Sequence, residues 1–154
     1  MNNELLIDYC KAVRDSTLTR LKIVPEGYEN WSISENSLSF AEISSHLIDT
    51  DEWLIKKIKN PTIKSIIAKK GSLKDCNREE FNDLIIGLEE CLDRKIKLIN
   101  SLDNVKIKSK IYDDRFNDDV SIEWIILRGN IDHEIHHRGQ IAAYLRVLKD
   151  KKIA

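Results

Sequence analysis

The stretch DHEIHHRGQIAAYLR (residues 132–146) decides the reading of the fold. It lies in a helical period in which Ile122, Ile126, Tyr144 and Leu148 share one stripe, so a helix is expected from near Ser121 to about Lys149. His133 and His137 are one turn apart, separated by about 40° around the axis, on the core-facing side of that helix. Two imidazoles at that spacing can reach one metal ion. Relative to His133, Gln140 lies at about −20° and Tyr144 at about +20°, so both share the histidine face. Arg138 falls off it.

Three more helices follow from the same period. The first runs from about Asn3 to Lys22, with Leu6, Tyr9, Cys10, Val13 and Leu21 near one stripe, and Pro25 and Gly27 end it. The connection from Ile23 to Leu38 carries Tyr28 and Trp31, aromatic groups expected to pack over one bundle end. Ser39-Phe40-Ala41-Glu42 is a capping box that starts a second helix, with Leu38 and Ile43 placed as a hydrophobic staple. Its stripe continues through Leu47, Leu54 and Ile58 until Asn60-Pro61. A third helix is expected from near Asn77, with Glu80 three residues on, along Phe81, Leu84, Leu88, Leu92, Ile96 and Ile99.

Between helices two and three lies a long crossover. Lys56 to Lys74 holds seven lysines and no acidic residue, read as a solvated helix end and loop. Residues 103–119 alternate apolar and polar groups and are expected to be extended, or a short strand laid along the bundle. The expected architecture is therefore all-α, a single four-helix-bundle domain over residues 1–154.

Bulk composition agrees. Apolar residues make up 42%, enough for one packed core, and only 5 Gly and 2 Pro argue against a turn-dense β fold. A net charge of −1 excludes the basic bias of a nucleic-acid binder. MNNELLIDYCKAVRD has no positive n-region followed by an apolar run, so no secretory leader is expected; no apolar run reaches membrane length, and Cys10, Cys76 and Cys91 form no C-x-x-C. Reduced thiols and a cytoplasmic location are expected, with no membrane partner.

His46 sits in the apolar register between Ile43 and Leu47, so three histidines from two helices face inward. Neutral imidazole is costly to bury unless both ring nitrogens find partners, which leaves two readings: separately hydrogen-bonded core histidines, or one metal site. Asp49, one turn from His46, is a candidate acceptor for an imidazole N–H, and Trp53 lies two turns on. His133-Glu134-Ile135-His136-His137 also spells the zinc-peptidase motif H-E-x-x-H. That motif needs a third ligand, yet no His or Glu follows His137, and Glu134 falls about 100° from His133. A di-iron reading of Glu134-x-x-His137 lacks the second copy it requires.

With AEISSHLIDTDEWL in helix two, Trp31 ahead of it, and His133…His137-Arg138-Gly139-Gln140 in the last helix, the chain resembles the DinB/YfiT-like superfamily. The resemblance spans the chain in element order. It implies up-down-down-up topology and one divalent ion held by His46, His133 and His137. His136 is an imidazole extra to the pattern. Similar proteins include bacillithiol-type S-transferases, thiol-dependent isomerases and metal hydrolases.

Three neutral ligands leave an open coordination position, which suits zinc first and nickel next. The ion would activate either a water or a low-molecular-weight thiol as cosubstrate. The expected functions are transfer of such a thiol to a small-molecule electrophile, hydrolysis at the same ion, or a non-catalytic metal-stabilised bundle. A homodimer is a further expectation. Asp49, Trp53, Gln140 and Tyr144 are the expected pocket or supporting residues; no catalytic residue is assigned.

Overall fold

The structure is a computed structural model and describes residues 3–153. Its elements are α1 (Asn3–Leu21), α2 (Phe40–Lys59), α3 (Arg78–Ser101), a short α4 (Asn104–Lys108), an antiparallel hairpin of β1 (Lys110–Asp113) and β2 (Asp118–Ser121), then α5 (Ile122–Trp124), a π-helical stretch (Ile125–Ile131) and α6 (Asp132–Asp150). The last three form one continuous rod, because the residues at both junctions keep right-handed helical angles. This rod, α1, α2 and α3 make the four-helix bundle.

Both expected helix starts carry full capping boxes. Ser39 Oγ accepts from Glu42 N while Ser39 N donates to Glu42 Oε2, and Asn77 and Glu80 repeat the exchange ahead of α3. Each box satisfies donors that a helix N-terminus would otherwise leave bare. Contacts fix the directions. Asn3 at the start of α1 donates to Ile99 O and Leu102 O, so α1 and α3 are antiparallel. Asp51 pairs with Lys95, and a Cβ at Gly87 would lie 3.0 Å from Ile48 Cδ1, so α2 and α3 run parallel and close. Asn130 meets Asp51 while Tyr144 meets Phe40, so α6 opposes α2. The order is up-down-down-up.

The core is two apolar clusters with a charged layer between them. One cluster gathers Leu6, Cys10, Trp53, Leu54, Ile99, Ile122 and Ile126, and the other gathers Leu21, Phe40, Leu47, Phe81, Leu88, Ile141 and Leu148. Between them Arg14 binds Glu134 through two nitrogens at 2.7 and 2.9 Å and Asp51 at 2.9 Å, and also donates to Leu88 O. Lys95 donates to Asp51 at 2.8 Å and to Asn130 at 2.9 Å. All five side chains are buried, and two cations balance two carboxylates. Helical period had placed Tyr9 inward; it is instead 43% exposed, and Arg14 takes an inward position.

Two connections depart from expectation. The stretch after α2 is stitched down rather than merely solvated. Lys57 is buried and donates to Pro61 O and Ile63 O, Trp53 Nε1 donates to Lys64 O, and Lys70 and Gly71 N both bind Glu42. Residues 103–119, expected to be extended or a short strand, hold the short strand β1 and most of its hairpin, preceded by an unexpected helical turn. Asp103 caps α4 by accepting from Val105 N and Lys106 N, and the hairpin turn is Asp114 to Asn117, with Asn117 at φ 50°. No helix among the described residues is long and apolar enough to cross a membrane.

Candidate metal centre

His46 on α2 and His133 and His137 on α6 meet between the two antiparallel helices, their ligand atoms all within 4.8 Å of one another. His133 Nε2 lies 2.8 Å from His46 Nε2 and 3.1 Å from His137 Nε2. His137 Nδ1 lies 2.7 Å from Gln140 Oε1, an atom that can only accept. His137 therefore carries its proton on Nδ1 and turns a bare lone pair toward the other two rings. One N–H on His133 can serve only one of its two neighbours well. At least one of the two contacts is then left without an N–H of its own, and a cation among the three nitrogens would satisfy all of them. The donor set fits a divalent ion.

Electrostatics agree with that fit. Burial, reinforced by the adjacent imidazoles, pushes His133 down to about 3. Burial pushes His137 down to about 4, against the opposing effect of the hydrogen bond it donates to Gln140. Burial also lowers His46, with nearby Asp49 opposing. All three rings are neutral at pH 7 and their lone pairs are available.

The other expected site residues separate. Gln140 is the imidazole's acceptor. Asp49, expected in that role, is exposed and makes no hydrogen bond to a histidine among the described residues. Tyr144 shares the face by angle, but its hydroxyl donates to Leu38 O and its ring packs against Trp31 and Phe40 at the bundle end. His136 is exposed, its ring beside His137 and outside the converging group. Glu134 turns away into the charged layer, where Arg14 holds both its oxygens. The H-E-x-x-H string therefore lacks its base.

Of the triad, His46 lines a cleft of about 760 Å³ between α2 and the crossover. His46, Asp49, Trp53, Glu42 and Ile66 are among its walls. A smaller cavity of about 90 Å³ adjoins it, lined by His46, His133, Trp53, Ser65 and Arg115 among others. Two α6 histidines one turn apart, a third across from α2, and the up-down-down-up bundle agree with a family model described as the DinB family, which matches residues 1–152. The chain belongs to the DinB family.

Solved structures give the same fold. A DinB-like protein of Bacillus subtilis is 17% identical, with 94% of this chain and 92% of that one covered at a TM-score of 0.69. A DinB-like protein of Bacillus cereus is 14% identical over 95% and 92% of the two chains, at 0.72. YfiT of Bacillus subtilis, named "a probable metal-dependent hydrolase with an unusual four-helix bundle topology", is 15% identical over 96% and 87%, at 0.74. At these identities the likeness concerns the fold. No curated protein matches the sequence.

This DinB chain offers no thiol of its own to the site. Cys10, Cys76 and Cys91 are all buried and unpaired, and burial pushes each thiol up, Cys10 to about 11. Sequence reading missed Thr50, Ser65, Ile66, Arg115 and Gly129 in the small cavity, of which Arg115 and Ser65 bring polar side chains from outside the helices. Both come from connections, where no periodicity marks which side chain turns inward.

Proposed function

We propose that this DinB-family chain holds one divalent ion, zinc or nickel, on His46, His133 and His137. It then transfers a low-molecular-weight thiol to a small electrophile bound in the cleft. The observation that carries this reading is a neutral, all-imidazole donor set, whose His46 lines the cleft, while the buried carboxylates nearby are already engaged. When bound, the ion would lower the pKa of a thiol or water at its open position toward neutrality. His46, His133 and His137 hold it, Gln140 sets the tautomer of His137, and Trp53 supplies an apolar wall. Glu134 is held by Arg14, and Glu42 accepts from Ser39 N, Lys70 Nζ and Gly71 N. Neither is available as a base, and a thiol that loses its proton readily needs none.

Asp49 favours a second reading. It lines the cleft one turn from His46 and could take a proton from water, so hydrolysis at the same ion is the alternative. The non-catalytic reading needs a fourth protein ligand, and the converging group among the described residues is three imidazoles. The test incubates metal-loaded protein with several small thiols and a model electrophile, with His137→Ala as control. Conjugation faster than the control supports thiol transfer. Ester or amide hydrolysis without conjugation, lost in Asp49→Asn, moves the assignment to the hydrolase.

A further inference from the structure

Arg115 is a charged group that shares a cavity with the histidines and has no part in the chemistry above. It stands in the hairpin turn, yet its side chain is only 26% exposed. Its Nε and Nη2 donate to Asp113 at 3.0 and 2.6 Å, and Nη1 donates to Gly129 O at 2.9 Å. The guanidinium carbon lies 4.1 Å from the centre of the Trp53 ring. A Cβ at residue 129 would run into the guanidinium, so the approach to the π-helical stretch depends on Gly129. An arginine held on one edge, on one face and at one tip is pre-organised.

Two of its five N–H groups remain without a partner among the described residues. Arg115 is also the only charged residue among those lining the small cavity, apart from the titratable histidines. Asp113, which balances its charge, is buried and does not line that space. The cavity, at about 90 Å³, has the volume share of about three waters, enough for a carboxylate. Ser65 on its wall belongs to the crossover and is tied by its N–H and hydroxyl to Asp114, next to Arg115. The hairpin and the crossover thus close on the same small space.

We infer that this cavity receives the carboxylate of an anionic small molecule, which Arg115 binds beside His46 and His133. The inference rests on the reading that the triad holds a metal, and it narrows the ligand class from any small thiol or electrophile to one carrying a carboxylate. The carboxylate can sit on the thiol or on the other ligand.

The experiment uses the full chain loaded with cobalt(II), whose visible spectrum reports ligands at the ion. Mercaptoacetate, 2-mercaptoethanol and acetate are titrated separately, the last also by calorimetry. Mercaptoacetate is expected to bind about tenfold more tightly than 2-mercaptoethanol, as one charge-assisted hydrogen-bonding pair allows. Arg115→Gln should narrow that ratio to within about threefold and leave 2-mercaptoethanol unchanged. Arg115→Lys breaks the same fork but keeps the cation, so it should retain most of the preference. An equal ratio in the native and Arg115→Gln chains overturns the inference, as does Arg115→Lys behaving like Arg115→Gln. Should neither thiol alter the spectrum, the thiol reading fails by itself and acetate decides. Arg115-dependent acetate binding sustains the anion site; acetate that binds independently of Arg115, or not at all, overturns it.

Discussion

Gln140 Oε1 lies 2.7 Å from His137 Nδ1, one helical turn further along α6, and so sets which nitrogen of that ring faces His46 and His133. Gln140→Ala removes the acceptor and frees the ring to rotate or change tautomer. Metal affinity should fall by about 10- to 100-fold, the usual cost of losing such a support. Competition against a chromophoric chelator measures it. Unchanged affinity would show that the tautomer is set by something else.

The converging group excludes His136, which is exposed beside His137. His46→Ala, His133→Ala and His137→Ala should each abolish stoichiometric metal uptake, whereas His136→Ala should leave about one ion per chain. Elemental analysis of the purified variants decides this. Full occupancy in His46→Ala would remove the α2 ligand from the proposal.

Glu134 is a prediction about stability, not chemistry. Its two hydrogen bonds to buried Arg14 mean that Glu134→Ala leaves a guanidinium without half of its compensation. Breaking a buried pair from one side costs about 3–5 kcal/mol. Chemical denaturation of metal-free protein should show the loss. A cost under about 1 kcal/mol would mean that the layer rearranges or admits water.

Acid should destabilise the metal-free chain before its carboxylates titrate. His133 and His137 sit at about 3 and about 4 in the fold, against an ordinary value of 6.5. The unfolded chain therefore binds more protons below pH 6.5, and stability declines as pH falls from there toward the folded values. Carboxylates contribute mainly below their ordinary 4.5 and 3.8, so the loss between pH 6.5 and 4.5 belongs to the histidines. Thermal melts across that window should show a falling midpoint, flattened in the His133→Asn/His137→Asn double variant. A flat native profile would contradict neutral burial of the rings.

What the sequence by itself determined is local. The capping boxes at Ser39 and Asn77 are exchanges between residues three apart, and the His133–His137 pair follows from 3.6 residues per turn. The inward position of His46 follows from its apolar neighbours. Tertiary structure alone decided the charged layer, since hydropathy assigns Arg14, Asp51, Lys95 and Glu134 to water until partners from four helices meet them. It also decided the hairpin, whose strands are held by cross-strand bonds and by packing. The place of Arg115 was settled the same way, by Asp113, Trp53 and Gly129 acting together. Helical order is written in contacts one turn apart. The sign of a buried charge and the aim of a loop arginine depend on groups far along the chain, whose positions exist only once the bundle has closed.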